Sequence, residues 1–226
     1  MSELMSAAAA GLPLLVGWSV HALRLSRRIE AARRDPLSGL WTRAPFERRA
    51  VRLLARHPET AVVLVDLDGF KALNDTFGHA AGDAAIRATA ASLTEALTER
   101  RSAVVARLGG DEFAAVVPLS EPFTLPWLLK GLHGAITAPF RHAGRDLTVG
   151  ASIGACLSSD LIPDGRRAGV ETLPVLLRLA DEAMYAAKRA GGGWNYPGAS
   201  EERCTTTAGR RTGRPGTHTP HRREAA

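Results

Sequence analysis

Polar and apolar positions change period several times along the chain, and each change marks an element. Residues 61–67 (AVVLVDL) run apolar and β-branched without alternation, the pattern of a strand covered on both faces. Upstream, TRAPFERRAVRLLAR predicts a helix over roughly 42–56, with Thr42 as N-cap and Pro45 in the first turn. A second helix is expected over 82–98. Two short apolar runs, 103–108 and 113–118, are separated only by Gly109-Gly110-Asp111-Glu112. That is a hairpin signal, because paired glycines permit positive φ in a tight turn. Residues 124–138 read as a helix, 147–157 (LTVGASIGACL) as a strand, and 171–190 as a helix interrupted near its start by Pro174. The order β-α-β-β-α-β with a helix at each end predicts an α/β domain, a mixed sheet covered by helices.

The two ends break this pattern. Residues 7–23 (AAAAGLPLLVGWSVHAL) hold 17 positions without a formal charge and are followed by Arg24, Arg27, Arg28, Arg33 and Arg34. Two readings stand open. One is a short membrane-spanning helix, weakened by Pro13, Ser19 and His21, whose arginines would keep the rest of the chain on the cytoplasmic face. The other is an Ala-rich amphipathic helix that docks on a partner or forms a dimer stalk. A cleaved signal peptide fits less well, since the charges follow the apolar run. Residues 198–226, rich in Gly, Thr, Pro and Arg, have no apolar period and are expected to be a disordered basic tail. The expected domains are therefore 1–34, 35–197 and 198–226.

Charge must be divided along the chain before it says anything about partners. The formal net charge is +6. Residues 1–34 hold five Arg and two Glu, and residues 198–226 hold six Arg and three Glu, so each end contributes +3. The 18 basic and 18 acidic side chains of 35–197 cancel. A nucleic-acid-binding domain normally bears its basic stripe on the folded part, so nucleic acid is not expected as a partner. Two cysteines, Cys156 and Cys204, are too few for a disulfide scaffold or a four-ligand zinc site unaided. Cys156 lies in an apolar strand and is read as a core residue.

The chemistry concentrates where the buried strand ends. Asp66 and Asp68 are two residues apart and share a face if the strand continues. Asp111 and Glu112 sit on the glycine hairpin, and three or four carboxylates converge if that hairpin lies beside the strand. Such a cluster selects hard cations, Mg²⁺ or Mn²⁺, and suits phosphoryl or nucleotidyl transfer. The bland alternative is a set of solvated loop carboxylates.

These residues also stand in a recognisable order. Asp66-Leu67-Asp68-Gly69-Phe70-Lys71-Ala72-Leu73-Asn74-Asp75, Gly78-His79, Gly82-Asp83 and Arg107-Leu108-Gly109-Gly110-Asp111-Glu112-Phe113 closely resemble the GGDEF-domain diguanylate cyclases. DPLSGL (35–40), SIGA (152–155) and LADEAMYAAKRAG (179–191) extend the resemblance over about 35–197. It implies a palm-like α+β fold with a mainly antiparallel central sheet. It also implies condensation of two GTP molecules into cyclic di-GMP with release of two pyrophosphates, in a homodimer, with two Mg²⁺ or Mn²⁺ ions per active site. Carried over residue by residue, Asp66 and the Leu67 carbonyl resemble metal ligands. Asp111 resembles the shared metal ligand and the acceptor of the 3′-hydroxyl proton, with Glu112 supporting it. Asn74 and Asp83 resemble the pair that reads guanine. His79 resembles a further substrate contact, Phe70 and Lys71 a segment over the phosphates, and Lys188 a phosphate contact. Each has a structural rival: Asn74 as a turn cap, Asp83 as an N-cap, Phe70 as core, His79 as turn closure and Lys188 as a helix C-terminal cation.

The chain departs from the family pattern twice. Gly192 stands where relatives carry an arginine on the triphosphate, with Arg189 the nearest substitute. Arg100 is in place for a product-inhibition motif, but Ala103 occupies its acidic position, so that motif is expected to be broken. An alternative to turnover is a degenerate module that binds GTP or a protein partner.

Overall fold

A computed structural model describes residues 33–100, 102–161 and 171–197, together with the isolated positions Trp18, His21 and Arg24. Most of 1–34, including the candidate anchor apart from Trp18 and His21, and all of the expected tail with Cys204 lie outside the described residues. Among the described residues, no helix is long and apolar enough to cross a membrane.

The chain forms α1 (Arg43–Leu54), β1 (Thr60–Asp68), α2 (Phe70–Phe77), α3 (His79–Ala96), β2 (Val104–Gly109) and β3 (Glu112–Pro118). It continues through a 3-10 turn at Pro122–Thr124 into α4 (Leu125–Ile136), β4 (Phe140–His142), β5 (Arg145–Leu147) and β6 (Gly150–Leu157). A single turn, α5 (Ser158–Leu161), precedes α6 (Thr172–Arg189) and β7 (Gly193–Asn195). The main sheet has the order β2-β3-β1-β6-β7. Every pairing is antiparallel except β6 with β7, while β4 and β5 form a separate ribbon. The expected mixed, mainly antiparallel sheet under helices is the observed architecture.

Period two along the strands sorts the core into two layers. Ala61, Val63, Val65 and Leu67 of β1 pack with Phe113, Ala115 and Val117 of β3 against α3 and α4. Val62 and Leu64 pack with Ala114, Val116 and Cys156 against Phe46, Ala50 and Leu54 of α1 and Leu176 and Ala180 of α6. Because Cβ atoms alternate across a strand, Asp66 belongs to the second set and faces α6. Cys156 is a buried core residue, and burial pushes its thiol up to about 12.

Several local expectations need correction. Thr42 does stand at the N-cap position, but its hydroxyl makes no cap bond and donates to the Arg33 carbonyl instead. The helix expected from residue 82 begins at His79, which puts Asp83 inside it rather than at its cap, and a separate helix, α2, precedes it. Gly78 (φ 83°) divides the two helices. The strand expected over 147–157 is split, its first residue closing the β4–β5 ribbon. Pro174 does not interrupt α6: it falls in the first turn, where no intrahelical N–H bond is lost.

Sheet and helix approach closely at Gly154 of β6. A Cβ there would lie 2.7 Å from Met184 Cα and closer still to the Ala180 carbonyl oxygen, both backbone atoms of α6. Backbone cannot swing aside as a side-chain tip can. Gly154→Ala is therefore expected to lower unfolding stability by about 1–3 kcal/mol, read from the denaturant midpoint at unchanged m-value.

Candidate active site

Three strands end in a row of polar side chains on the α6 face of the sheet. Asp66 of β1 is paired in register with Glu112 of β3 on one side and Ser152 of β6 on the other. Asp66 is only 9% exposed, and a buried carboxylate is costly unless it is paired. Lys188, in the last turn of α6, supplies the pairing: its ammonium lies 2.5 Å from Asp66 Oδ2. That bond, against a smaller desolvation cost, holds the Lys188 amine above its ordinary range, and the charges of Asp66, Asp68 and Asp111 add to the shift.

Asp68 follows one step beyond. The buried Ser152 hydroxyl donates to both its carboxylate oxygens, at 2.8 and 3.0 Å. Burial pushes the Asp68 carboxyl above the ordinary carboxylate range, the Ser152 bond opposes this, and the Asp66 charge reinforces it. Asp68 is also walled by glycine. A Cβ on Gly192 would fall 2.9 Å from Asp68 Oδ2, and one on Gly150 3.0 Å from Asp68 Cβ. Gly191, Gly192 and Gly193 have φ of 99°, 97° and 101° on the way into β7, a backbone that L side chains rarely adopt. The position of Gly192, for which the family resemblance implies an arginine, is thus not a vacant socket here. It is part of a left-handed glycine run packed on Asp68.

The glycine hairpin is tighter than its four-residue spelling suggests. Gly109 pairs with Glu112, with a register irregularity just before Gly109, leaving Gly110 and Asp111 at the tip. Gly110 has φ 53°. Arg107 braces this turn from inside. Its Nε and Nη2 donate to the Gly110 carbonyl at 2.9 and 2.6 Å, and its Nη1 donates to both oxygens of Asp35 at 3.2 and 3.0 Å. The pair is well covered, with side chains 13% and 19% exposed. Asp35 also accepts from the Ser38 backbone and hydroxyl. Burial raises its pKa, but the Ser38 and Arg107 donors outweigh burial and hold the carboxyl below its ordinary range. Asp35 and Arg107 stand within the motifs DPLSGL and RLGGDEF, but their positions in the sequence imply no role for either. They are 72 residues apart, and spacing alone does not reveal the contact.

A second group lies on α2 and α3, directly after β1. Asn74 Oδ1 is buried with no hydrogen-bond partner among the described residues. It packs on Gly82, where a Cβ would reach 2.9 Å from Asn74 Cγ. Asp83 is the exposed residue after Gly82, and His79 is exposed at the start of α3. Phe70 is half-buried against the core, while Lys71 is exposed in the first turn of α2. A small apolar cluster of Leu73, Ala81 and Ala85 locks α2 onto α3.

Among the described residues, no three His, Cys, Asp or Glu side chains form a group able to hold a metal ion. The set resembling a metal site asks for only two, Asp66 and Asp111, plus the Leu67 carbonyl. Its donors are all hard oxygens, and the Lys188 ammonium against Asp66 marks a place that already accommodates positive charge. The residues fit a hard divalent cation in chemistry.

Comparison with known proteins bears on the same stretch. The family model described as diguanylate cyclase, GGDEF domain, matches residues 32–193. An uncharacterized 19.3 kDa protein of Streptomyces ambofaciens is 46% identical over 181 residues, covering 80% of this chain and 91% of that protein. The diguanylate cyclase DgcP of Pseudomonas aeruginosa is 35% identical over 162 residues, covering 70% of this chain but only 22% of DgcP. Among solved structures, the GGDEF domain of Pseudomonas aeruginosa TpbB superposes with a TM-score of 0.62 at 35% identity. That match covers 72% of this chain and 93% of the domain.

The Arg107 brace makes a pH-dependent contribution to stability. Asp35→Asn should destabilise the fold by about 1–2 kcal/mol at neutral pH, because a charge-assisted bond is lost. A carboxyl held below its ordinary range stabilises only while ionised. The advantage of the parent is therefore present above pH about 4 and disappears as pH falls further. Urea midpoints of both proteins at pH 7 and at about pH 3 measure this; a constant gap at both pH values contradicts it.

Proposed function

The chain belongs to the diguanylate cyclase GGDEF family, and from that membership we propose that it condenses two GTP molecules into cyclic di-GMP with release of two pyrophosphates. The observation that carries this reading is the polar row at the end of β1, with the hairpin tip on one flank and a lysine ammonium 2.5 Å from Asp66. Carboxylates beside a cation, at the edge of an otherwise apolar sheet, suit the binding of a triphosphate and the removal of a proton.

In this reading each chain binds one GTP, and two chains face each other so that each 3′-hydroxyl attacks the α-phosphorus of the other nucleotide. Asp111 takes the 3′-hydroxyl proton, with Glu112 alongside. Lys188 leaves Asp66 and turns to the phosphates, joined by Lys71 and the backbone at Phe70. Asp66, the Leu67 carbonyl and Asp111 would hold Mg²⁺ or Mn²⁺, two per active site, supplying charge neutralisation at the phosphate oxygens. Asn74 and Asp83 read guanine: the unpartnered Asn74 Oδ1 and the Asp83 carboxylate accept from its N1 and N2 donors. Adenine offers no such donors and leaves them unpaired. His79 gives a further substrate contact.

The proposed catalytic unit is 35–197, flanked by 1–34 and the tail 198–226. Residues 7–23 are proposed to tether it to the inner face of the cell membrane, or to serve as a dimer stalk. A second reading, a module that binds GTP or a protein partner without turnover, draws support from one observation: Gly192 packs against Asp68, where the family resemblance implies a guanidinium.

Asp111→Asn and Asp66→Asn are each expected to cut cyclic di-GMP formation about 100-fold or more while the circular-dichroism spectrum stays that of the parent. Near-parental turnover by either folded variant rules out the assignment. Asp83→Ala should raise the KM for GTP about tenfold or more and narrow the preference for GTP over ATP. A fall in melting temperature as its only effect would mean that Asp83 is structural.

A further inference from the structure

The segment that enters the domain at Arg33 does not simply run past it. Residues 33–42 close into a narrow loop: Asp35 N donates to Leu40 O at 2.8 Å, Gly39 N to Asp35 O at 2.8 Å and Thr42 N to Arg33 O at 2.9 Å. Arg34 Nη1 donates to Gly39 O at 2.7 Å. One end of this loop is then joined to the sheet through Trp41. Its backbone bridges Ala106 of β2 in parallel sense and Arg34 in antiparallel sense. Trp41 N donates to Val105 O at 3.4 Å, and Arg107 N donates to Trp41 O at 3.0 Å. β2 is otherwise the edge of the five-stranded sheet.

The Trp41 ring is held on both sides by cations. The Arg34 guanidinium lies 3.9 Å from the ring centroid and the Arg49 guanidinium, from α1, lies 3.5 Å from it. Stacks of this kind are worth more where water is excluded, and Trp41 is half-buried against the α1 and α6 core. Trp41 thus ties three bodies together: the incoming loop through Arg34, α1 through Arg49, and β2 through its backbone. The β2 residue that takes its carbonyl is Arg107, and the Arg107 side chain holds Gly110 at the hairpin tip and Asp35 in the same loop.

We propose that Trp41 is a positioning residue for the reaction: clamped between Arg34 and Arg49, it sets the register of Arg107 and so the placement of Gly110 and Asp111. The proposal rests on the cyclase reading for its kinetic consequence, but its structural consequence stands without it. Two linkages reach the hairpin from the loop, one through the Trp41 backbone and one through Asp35. Slackening the clamp tilts the tip without unfolding the sheet, whose central strands depend on neither linkage.

The test is amide hydrogen exchange on the full chain, together with kinetics. In Trp41→Ala, exchange in residues 108–113 should accelerate about tenfold while β1 and β6 keep parental protection. The kcat should fall about tenfold with the KM for GTP within about twofold, since a tip displaced by a fraction of an ångström spoils proton removal rather than binding. Trp41→Phe keeps an aromatic face between the two guanidiniums and should restore most of both. If Trp41→Ala unfolds, or loosens all strands alike, Arg34→Gln decides, because it opens the clamp and leaves the ring in the core. Faster exchange confined to 108–113 in that variant supports the proposal, and parental exchange there overturns it. Parental hairpin exchange and kcat in a folded Trp41→Ala also overturn it. Should the parent chain make no cyclic di-GMP, the cyclase reading fails, while the exchange arm still decides the positioning role.

Discussion

The ion pair between Asp66 and Lys188 is the contact that lets this site exist where it does. β1 is buried along nearly its whole length, and its apolar residues are committed to two core layers. A carboxylate at the end of such a strand has been stripped of water and must find a partner or lose its charge. Lys188 provides one from outside the sheet, on the last turn of α6, where a cation is also favoured by the helix dipole. The arrangement is asymmetric. The lysine side chain is 50% exposed and gives up little hydration, whereas the aspartate side chain, taken without its backbone, is 13% exposed. The aspartate is therefore the desolvated half of the pair, and the ammonium is the half that keeps more of its water.

Around that pair the neighbouring groups differ in how they meet the same constraint. Asp68 is satisfied by a buried hydroxyl instead of a cation, and its carboxyl rises above the usual range because a neutral donor compensates burial only in part. Asp35, with a guanidinium and two donors from Ser38, moves the other way. Three aspartates in one small region thus have three environments. The one joined to Arg107 serves geometry more than chemistry, since Arg107 spends its remaining donors on the hairpin carbonyl.

The glycines of the 191–193 turn show why a motif difference has to be read in three dimensions. By the family resemblance alone, Gly192 reads as a missing phosphate contact. In the fold it belongs to a left-handed run that brings β7 alongside β6, with Asp68 filling the space a side chain would need. A side chain at any of the three would meet an unfavourable backbone, and at Gly192 its Cβ would also lie 2.9 Å from the Asp68 carboxylate. The departure is a property of the whole turn.

Much of this was legible in the sequence, for physical reasons. Local periodicity reports local structure: the apolar, β-branched run of 61–65 marks a strand covered on both sides, and paired glycines between two apolar runs mark a turn back. From these came the sheet, its helical cover and the end of β1 as the place for chemistry. Short-range errors arose where tertiary contacts outbid local preference. Thr42 gives its hydroxyl to Arg33 rather than to its own helix, and the short helix α2, which ends at Gly78, was not expected ahead of α3. What the sequence by itself determined was which residues are apolar, which are charged and where the chain can turn, and hence the layers and the ends of the strands. Only the tertiary structure decided that Lys188 meets Asp66 across 122 positions and that Arg107 meets Asp35 across 72. It also seated Trp41 between two arginines. Partners of a charge are chosen by where strands and helices end in space, and no periodicity along the chain encodes that.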